Sequence, residues 1–173
     1  LYNPFIRRLA NYKPNATRTD IMLINAGQEA AYEQASPVQK SALNILAKYE
    51  VGNLGYDGMN QGGKDGGRTA INPGTGTKLL GKPLTSMTIS EIMGHHAAGT
   101  LHAAGRYQFI GPTFMEQVKT QNIPLDAKFT PAVQDYMALN YLRQVGWRGI
   151  WIGPTDRADP KEAAILDAAA SQT

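Results

Sequence analysis

The sequence LNILAKYEVGNLGYDGMNQGG, residues 43–63, joins a helical pattern of apolar residues to a loop rich in glycine. Upstream of it, Ser36 and Pro37 are residue types that favour the N-cap and first turn of a helix. Apolar side chains then recur at helical spacing, at Val38, Ala42, Ile45 or Leu46, and Tyr49. The pattern predicts a central helix that begins at Ser36 and ends at Glu50.

Glu50 is the first candidate for a catalytic residue. It follows Leu46 by four residues and Leu43 by seven, which places it on the apolar side of the predicted helix. A half-buried carboxyl has a raised pKa, the state that a general acid needs near neutral pH. The alternative is a solvated glutamate at a helix C-terminus, where the helix dipole disfavours negative charge.

Capping residues or a proline in the first turn indicate five further helices. These are expected over residues 19–34, 88–99, 112–120, 130–146 and 159–170. Residues 51–83 are dominated by Gly, Asn, Asp, Gln and Thr, which predicts a small irregular β lobe, and residues 104–110 predict a short extended run. The expected fold class is α+β and mainly helical.

Length and composition favour one compact domain over residues 1–173, because 173 residues with 42% apolar content can bury one core. The net charge of +3 is mildly basic and suits attraction to a polyanion. The sequence shows no cysteine, no recognisable signal-peptide pattern and no apolar run of the roughly 20 residues that a membrane span needs. Since the chain begins at Leu1, we expect it to be part of a longer protein.

Several other motifs point to packing or to the surface. His95 and His96 are adjacent on a helix and the sequence has no HExxH, so surface histidines are expected and neither a metal nor a cofactor is predicted. Lys64 is followed by Asp65, which argues against a phosphate-binding loop.

Trp147 and Trp151 are expected to pack at the core or an edge. The lysines and arginines form no basic stripe with aromatic residues, which argues against nucleic acid as a partner.

An ordered set of motifs resembles the lysozyme-like superfamily. The set is the helix-ending Glu50, then Gly55-Tyr56-Asp57 and Asn60, then Ala104-Gly105-Arg106-Tyr107-Gln108-Phe109, then Gln134-Asp135 after Thr130-Pro131. It is most similar to phage-type muramidases and lytic transglycosylases, over residues 36–146. The resemblance implies a glycan cleft between a helical lobe and a small β lobe. It also implies cleavage of the β-1,4 bond between N-acetylmuramic acid and N-acetylglucosamine, with Glu50 as the catalytic acid.

The same resemblance implies a set of substrate-binding residues. They are Tyr56, Asn60, Gln61, Gly105, Arg106, Tyr107 and Gln108. Gln108 would hydrogen-bond an N-acetyl sugar, Tyr107 would shape the cleft wall, and Gly105 would let the backbone approach a ligand. The alternative is an alternating strand in which Tyr107 is packed and Gln108 exposed. Arg106 is expected to pair with a carboxylate.

The second carboxylate decides between two chemistries. Hydrolytic glycosidases use two carboxylates about 5 to 9.5 Å apart, whereas a transglycosylase can use one. Asp57 and Asp65 lie in the loop after Glu50, and Asp57 is the better candidate, although an aspartate beside glycine also forms turns. We expect a lytic transglycosylase, with a hydrolytic muramidase as the alternative.

The expected location and partners also follow from the resemblance to the lysozyme-like superfamily. The chain would act on bacterial peptidoglycan, either as part of a phage particle or as an enzyme released to the cell wall. A non-enzymatic alternative is a glycan-binding or structural module of a phage particle. The sequence leaves this alternative open, although such a module would not require an acid, a tyrosine and a glutamine in the order that a glycan cleft uses.

Overall fold

A computed structural model describes residues 36–62, 72–149 and 159–171. The helix expected over residues 19–34 lies outside the described residues, as do Lys64, Asp65 and Trp151. Within the described part, the fold is α+β and mainly helical, with one small antiparallel sheet. The predicted fold class is therefore confirmed at this level.

The described α-helices carry most of the structure. They are α1 (Pro37–Glu50), α2 (Gly76–Leu80), α3 (Ile89–Ala98), α4 (Gly111–Gln121), α5 (Pro131–Val145) and α6 (Pro160–Ser171). Short 3-10 helices lie at Gly52–Asp57, Leu84–Ser86 and Trp147–Gly149. None of the described helices combines the length and the apolar character that a membrane crossing requires.

Side-chain caps explain where the helices begin. Ser36 Oγ accepts a hydrogen bond from Gln39 N at 3.3 Å, and Gln39 Oε1 accepts one from Ser36 N at 2.9 Å. Thr88 and Glu91 form the same reciprocal capping box at the start of α3, and Thr130 caps α5. The predicted starts of α1, α3 and α5 are confirmed, because each depends on hydrogen bonds between residues close in sequence.

The sheet has the strand order β2-β1-β3-β4 and is antiparallel throughout. Its strands are β1 (Gly58–Asn60), β2 (Pro73–Thr75), β3 (Ala103–Ala104) and β4 (Phe109–Ile110). The small β lobe predicted over residues 51–83 is confirmed in part, because this stretch supplies β1 and β2 but also contains α2 and the 3-10 helix Gly52–Asp57. The sheet also takes in residues from the predicted extended run. In the register, Met59 of β1 lies opposite both Gly74 and Ala104.

The prediction of one extended run over residues 104–110 is wrong, because the chain reverses between β3 and β4. Gly105 has φ +78° and Gln108 has φ +50°, and Gln108 N donates to Gly105 O at 3.2 Å. Positive φ at both positions turns the chain back on itself. The alternative in which Tyr107 and Gln108 alternate along a strand is wrong for the same reason.

One hydrophobic core joins the helices to the sheet. Its largest fully buried side chains include Leu43, Leu46, Met59, Phe114 and Phe129. Helix α1 packs against α5 and α6, so the helix that ends at Glu50 is held from two sides.

Trp147 lies at the edge of the helical packing, as predicted. It is 6% exposed, and its Nε1 donates to Asp167 Oδ1 on α6 at 2.7 Å. The guanidinium of Arg148 stacks 4.5 Å from the ring centroid of Trp147 and donates to the same carboxylate at 2.8 Å. These contacts give Trp147 a packing role.

Candidate active site around Glu50

Glu50 is the last residue of α1 and is half-buried. Burial raises the pKa of Glu50 to about 8. None of the ion pairs within the described residues involves this carboxyl. Glu50 therefore holds its proton at neutral pH, as the sequence predicted, and can donate that proton to a bound molecule.

The chain leaves Glu50 through a tight, exposed turn. Val51 N donates to Ala47 O at 3.0 Å and closes the helix, and Gly52 and Gly55 have φ values of +58° and +65°. Positive φ is accessible to glycine at little cost, so these two residues let the chain reverse within the 3-10 segment Gly52–Asp57. The turn leads to Tyr56, whose side chain faces the protein interior.

Tyr56 reaches a buried carboxylate on α5. Asp135 is 1% exposed and accepts hydrogen bonds from Tyr56 Oη at 2.8 Å and from Tyr107 Oη. Arg106 Nη1 lies 3.6 Å from Asp135 Oδ1, so the prediction that Arg106 pairs with a carboxylate is confirmed. Burial, with Asp135 beside it, raises the pKa of the Tyr107 hydroxyl and keeps it a donor.

Two amide side chains extend this arrangement. Gln134 Oε1 accepts from Arg106 N at 2.9 Å, while Gln134 Nε2 donates to Tyr56 O at 3.0 Å. Asn44 Oδ1 on α1 accepts from Arg106 Nη2 at 2.7 Å. We call the set Asn44, Tyr56, Arg106, Tyr107, Gln134 and Asp135 the Asp135 cluster. It joins α1, the turn after Glu50, the β3–β4 turn and α5.

Asp57, the predicted candidate for a second carboxylate, is engaged in the scaffold. Its Oδ2 accepts from Thr77 N at 3.2 Å and from Thr77 Oγ1 at 2.7 Å, and its Oδ1 accepts from Leu84 N at 2.7 Å. Both oxygens therefore hold the start of α2 and the segment Leu84–Ser86 in place. These bonds favour the structural alternative for Asp57, while Asp65 lies outside the described residues.

The structure separates the predicted substrate-binding residues into two groups. Tyr56, Arg106 and Tyr107 belong to the Asp135 cluster, and Tyr107 is only 7% exposed. Gln108 Nε2 donates to Gly105 O at 2.8 Å and to Gly58 O at 3.3 Å, within its own hairpin and the adjacent strand. The polar groups of these four side chains thus have partners inside the protein.

The second group lies at the base of the glycine-rich loop. Asn60 Oδ1 accepts from Gly62 N at 2.7 Å, and Gln61 Oε1 accepts from Asn72 Nδ2 at 2.7 Å. Both residues are partly exposed; Asn60 is the last residue of β1 and Gln61 follows it. They remain the better placed of the predicted residues for contact with a bound molecule.

Gly105 is buried at a position where its neighbours leave no room for a side chain. A Cβ at this position would lie 2.4 Å from Gln134 Oε1 and 2.9 Å from a ring carbon of Phe129. The absence of a side chain therefore lets Gln134 reach the hairpin. The sequence identifies Gln134 and Asp135 only as part of a motif, and it does not identify Asn44. No residue near Asn44 in the sequence indicates its contact with Arg106, which lies 62 residues later.

The prediction that His96 is a surface histidine is wrong. Its ring packs 5.3 Å from that of Phe114, and its Nε2 is buried without a hydrogen-bond partner. Burial lowers the pKa of His96 to about 4.

The described residues include no group of three or more side chains suited to hold a metal ion.

Protonation of His96 is expected to destabilise the fold in acid. The pKa of His96 is about 4 in the folded protein and 6.5 in the unfolded chain, so the unfolded state binds more protons between these values. The contribution of His96 to the free energy of unfolding should fall by up to about 3 kcal/mol as the pH decreases through this window, whereas the contribution of Glu50, whose pKa is raised, changes in the opposite direction. Urea unfolding of the protein and of His96→Phe at pH 7 and pH 4.5 measures the difference.

Because the variant lacks this contribution, the stability of His96→Phe relative to the unmodified protein should increase between pH 7 and pH 4.5. The same measurement on His95→Gln separates the contribution of His96 from that of its neighbour. An equal increase in both variants, or no increase in His96→Phe, would contradict the assignment.

Comparisons with models of protein families, with curated proteins and with solved structures found no match. The resemblance of the sequence motifs to the lysozyme-like superfamily is therefore carried by the motifs themselves. A functional assignment depends on those motifs and on the surroundings of Glu50.

Proposed function

We propose that this chain cleaves the β-1,4 bond between N-acetylmuramic acid and N-acetylglucosamine in bacterial peptidoglycan, as a lytic transglycosylase with a lysozyme-like fold. The observation that carries the proposal is the position of the half-buried Glu50 carboxyl at the end of α1, where burial raises its pKa to about 8. A protonated carboxyl at the opening of a polar, glycine-rich loop supports general acid chemistry. The order of the motifs around it supports a glycan as the substrate.

The proposed reaction needs one carboxyl group. Glu50 donates its proton to the glycosidic oxygen as the bond from C1 of the muramic acid breaks, which releases the N-acetylglucosamine end with a free hydroxyl. The Glu50 carboxylate then accepts the proton of the C6 hydroxyl on the same muramic acid, and O6 bonds to C1. This step restores the protonated Glu50 and leaves a 1,6-anhydro sugar.

The contacts of Asp57 support the single-carboxylate route over a two-carboxylate hydrolysis. Its two oxygens accept three hydrogen bonds from Thr77 and Leu84, so its use as a base or nucleophile would require breaking contacts that hold the β lobe. The proposed setting is the bacterial cell wall, reached either from a phage particle or by release of the enzyme. The reaction requires no cofactor.

Mass spectrometry of digested peptidoglycan tests the proposal. The expected products are 1,6-anhydro muropeptides, each lighter by one water than the corresponding reducing-end muropeptide. Reducing ends alone, together with loss of activity in a folded Asp57→Asn variant, would instead identify a hydrolytic muramidase with Asp57 as the second carboxylate. Binding to peptidoglycan without any cleavage would identify a glycan-binding module and overturn the enzymatic proposal.

A further inference from the structure

The Asp135 cluster holds the chain on both sides of Glu50. Asn44 and Tyr56 each lie six residues from Glu50, one before it and one after it. A single guanidinium contacts both, since Arg106 Nη2 donates to Asn44 Oδ1 at 2.7 Å and Arg106 Nη1 donates to Tyr56 Oη at 3.2 Å. The planar guanidinium fixes these two contacts relative to each other.

The turn between Glu50 and Tyr56 has few contacts of its own. Gly52, Asn53 and Leu54 are exposed, and no atom lies within 4 Å of where a Cβ would stand on Gly52 or Gly55. The position of this turn is therefore determined by its two ends and by the buried side chain of Val51, which packs against Gly58. One end is helix α1 and the other is Tyr56, which is held by Asp135, Arg106 and Gln134.

The cluster resists displacement because its charge is buried. The side chain of Asp135 is 2% exposed, and it is compensated by two tyrosine hydroxyls and by Arg106. A buried carboxylate that loses one of its donors is strongly disfavoured. The cluster therefore favours a single set of side-chain contacts, and these contacts fix the position of Tyr56.

We infer that the Asp135 cluster positions Glu50 against its substrate, with the hydroxyl of Tyr56 as the contact that fixes the turn after Glu50. This inference rests on the proposed function. Tyr56 acts through Glu50 and is a positioning residue. Because proton transfer depends steeply on geometry, a loosened turn should slow the chemical step more than it weakens substrate binding.

The variant Tyr56→Phe tests the inference. It removes the hydroxyl and keeps the ring, which lies 5.1 Å from the guanidinium carbon of Arg106. On uncrosslinked glycan strands, at a temperature well below the unfolding transition, kcat is expected to fall about tenfold while KM changes less than twofold. The matched control is Tyr136→Phe, which removes a half-buried hydroxyl from the next residue of α5, bonded to Asn140 outside the cluster. The control should retain kcat.

A second measurement is independent of catalysis. Titration of the Glu50 carboxyl by carbon NMR should give a pKa near 8 in the unmodified protein. The pKa should move toward the ordinary value of 4.5 in Tyr56→Phe, because a displaced turn admits water, and it should stay unchanged in Tyr136→Phe. A structural role alone would lower the unfolding temperature of Tyr56→Phe without moving this pKa.

The outcomes separate the two proposals. If the protein cleaves glycan and Tyr56→Phe changes neither kcat nor the pKa of Glu50, the positioning role is wrong while the proposed function stands. If the protein cleaves no glycan, the proposed function is wrong, and the NMR titration alone then decides whether the cluster controls the surroundings of Glu50.

Discussion

Glu50→Gln is expected to reduce the cleavage of peptidoglycan by at least about 10², the contribution typical of general acid catalysis. Glutamine keeps the shape of the side chain and its hydrogen-bonding capacity but has no proton that it can donate and recover. The measurement is the clearing of cell-wall suspensions, together with the quantity of released muropeptides. The matched control is Glu116→Gln, which makes the same change at an exposed glutamate on α4.

The same variant should be at least as stable as the unmodified protein, which separates lost chemistry from lost folding. The pKa of Glu50 is about 8 in the folded protein and 4.5 in the unfolded chain, so the folded state binds more protons between these values. The contribution of Glu50 to the free energy of unfolding therefore falls as the pH rises through this window. Above pH 8, Glu50→Gln should be more stable by on the order of 2–4 kcal/mol.

Two results would contradict the role assigned to Glu50. One is activity within a few-fold of the unmodified protein in Glu50→Gln. The other is a variant that is less stable at pH 9, since removal of a buried charge should relieve a desolvation cost. Equal loss of activity in Glu116→Gln would show that the assay responds to surface charge and not to the acid.

The helix boundaries could be predicted because they depend on neighbours in sequence. Ser36 and Gln39 form the box that starts α1, and Thr88 and Glu91 form the one that starts α3. Each box closes hydrogen bonds across three residues, which a sequence displays directly. The burial of Glu50 was predictable for the same reason, since helical spacing relates it to apolar residues in the same helix.

The hairpin over residues 103–110 could not be predicted in this way. Residues 104–110, AGRYQFI, have the composition of a strand, and the turn depends on positive φ at Gly105 and at Gln108, which is not a glycine. The conformation is imposed by distant partners, since β3 pairs with β1, which lies more than 40 residues earlier. Tertiary contacts of this kind override local preference.

The contacts within the Asp135 cluster could not be predicted either, because they join residues that are far apart in sequence. Tyr56 and Asp135 are 79 residues apart, and a motif identifies both without showing that they touch. The motif predicts that Tyr56, Arg106 and Tyr107 bind substrate, and it gives no sign that their polar groups bond to one another and to Asp135. The prediction that His96 is exposed was wrong for a related reason. The sequence of α3 alone does not show that the phenyl ring of Phe114 packs against His96.

Gly105→Ala is expected to destabilise the fold by at least about 3 kcal/mol, through backbone strain combined with a steric clash. The φ value of Gly105 is +78°, which disfavours alanine in any surroundings. The added Cβ would also lie 2.4 Å from Gln134 Oε1, an atom held in place by its bond from Arg106 N. Gln134 is fully buried and bonded to Tyr56 O and Phe129 O, so it has little room to move.

Gly99→Ala is the control that separates the two contributions. Gly99 has a similar φ value of +73° at the end of α3, and no atom lies within 4 Å of where its Cβ would stand. Gly99→Ala should therefore be destabilised by backbone strain alone, by about 1 kcal/mol. Urea unfolding of both variants gives the difference, which measures the clash with Gln134. Equal destabilisation would mean that Gln134 can move aside, and the tight packing assigned to the Asp135 cluster would then be wrong. A larger loss in Gly105→Ala would show that this packing requires glycine in the hairpin.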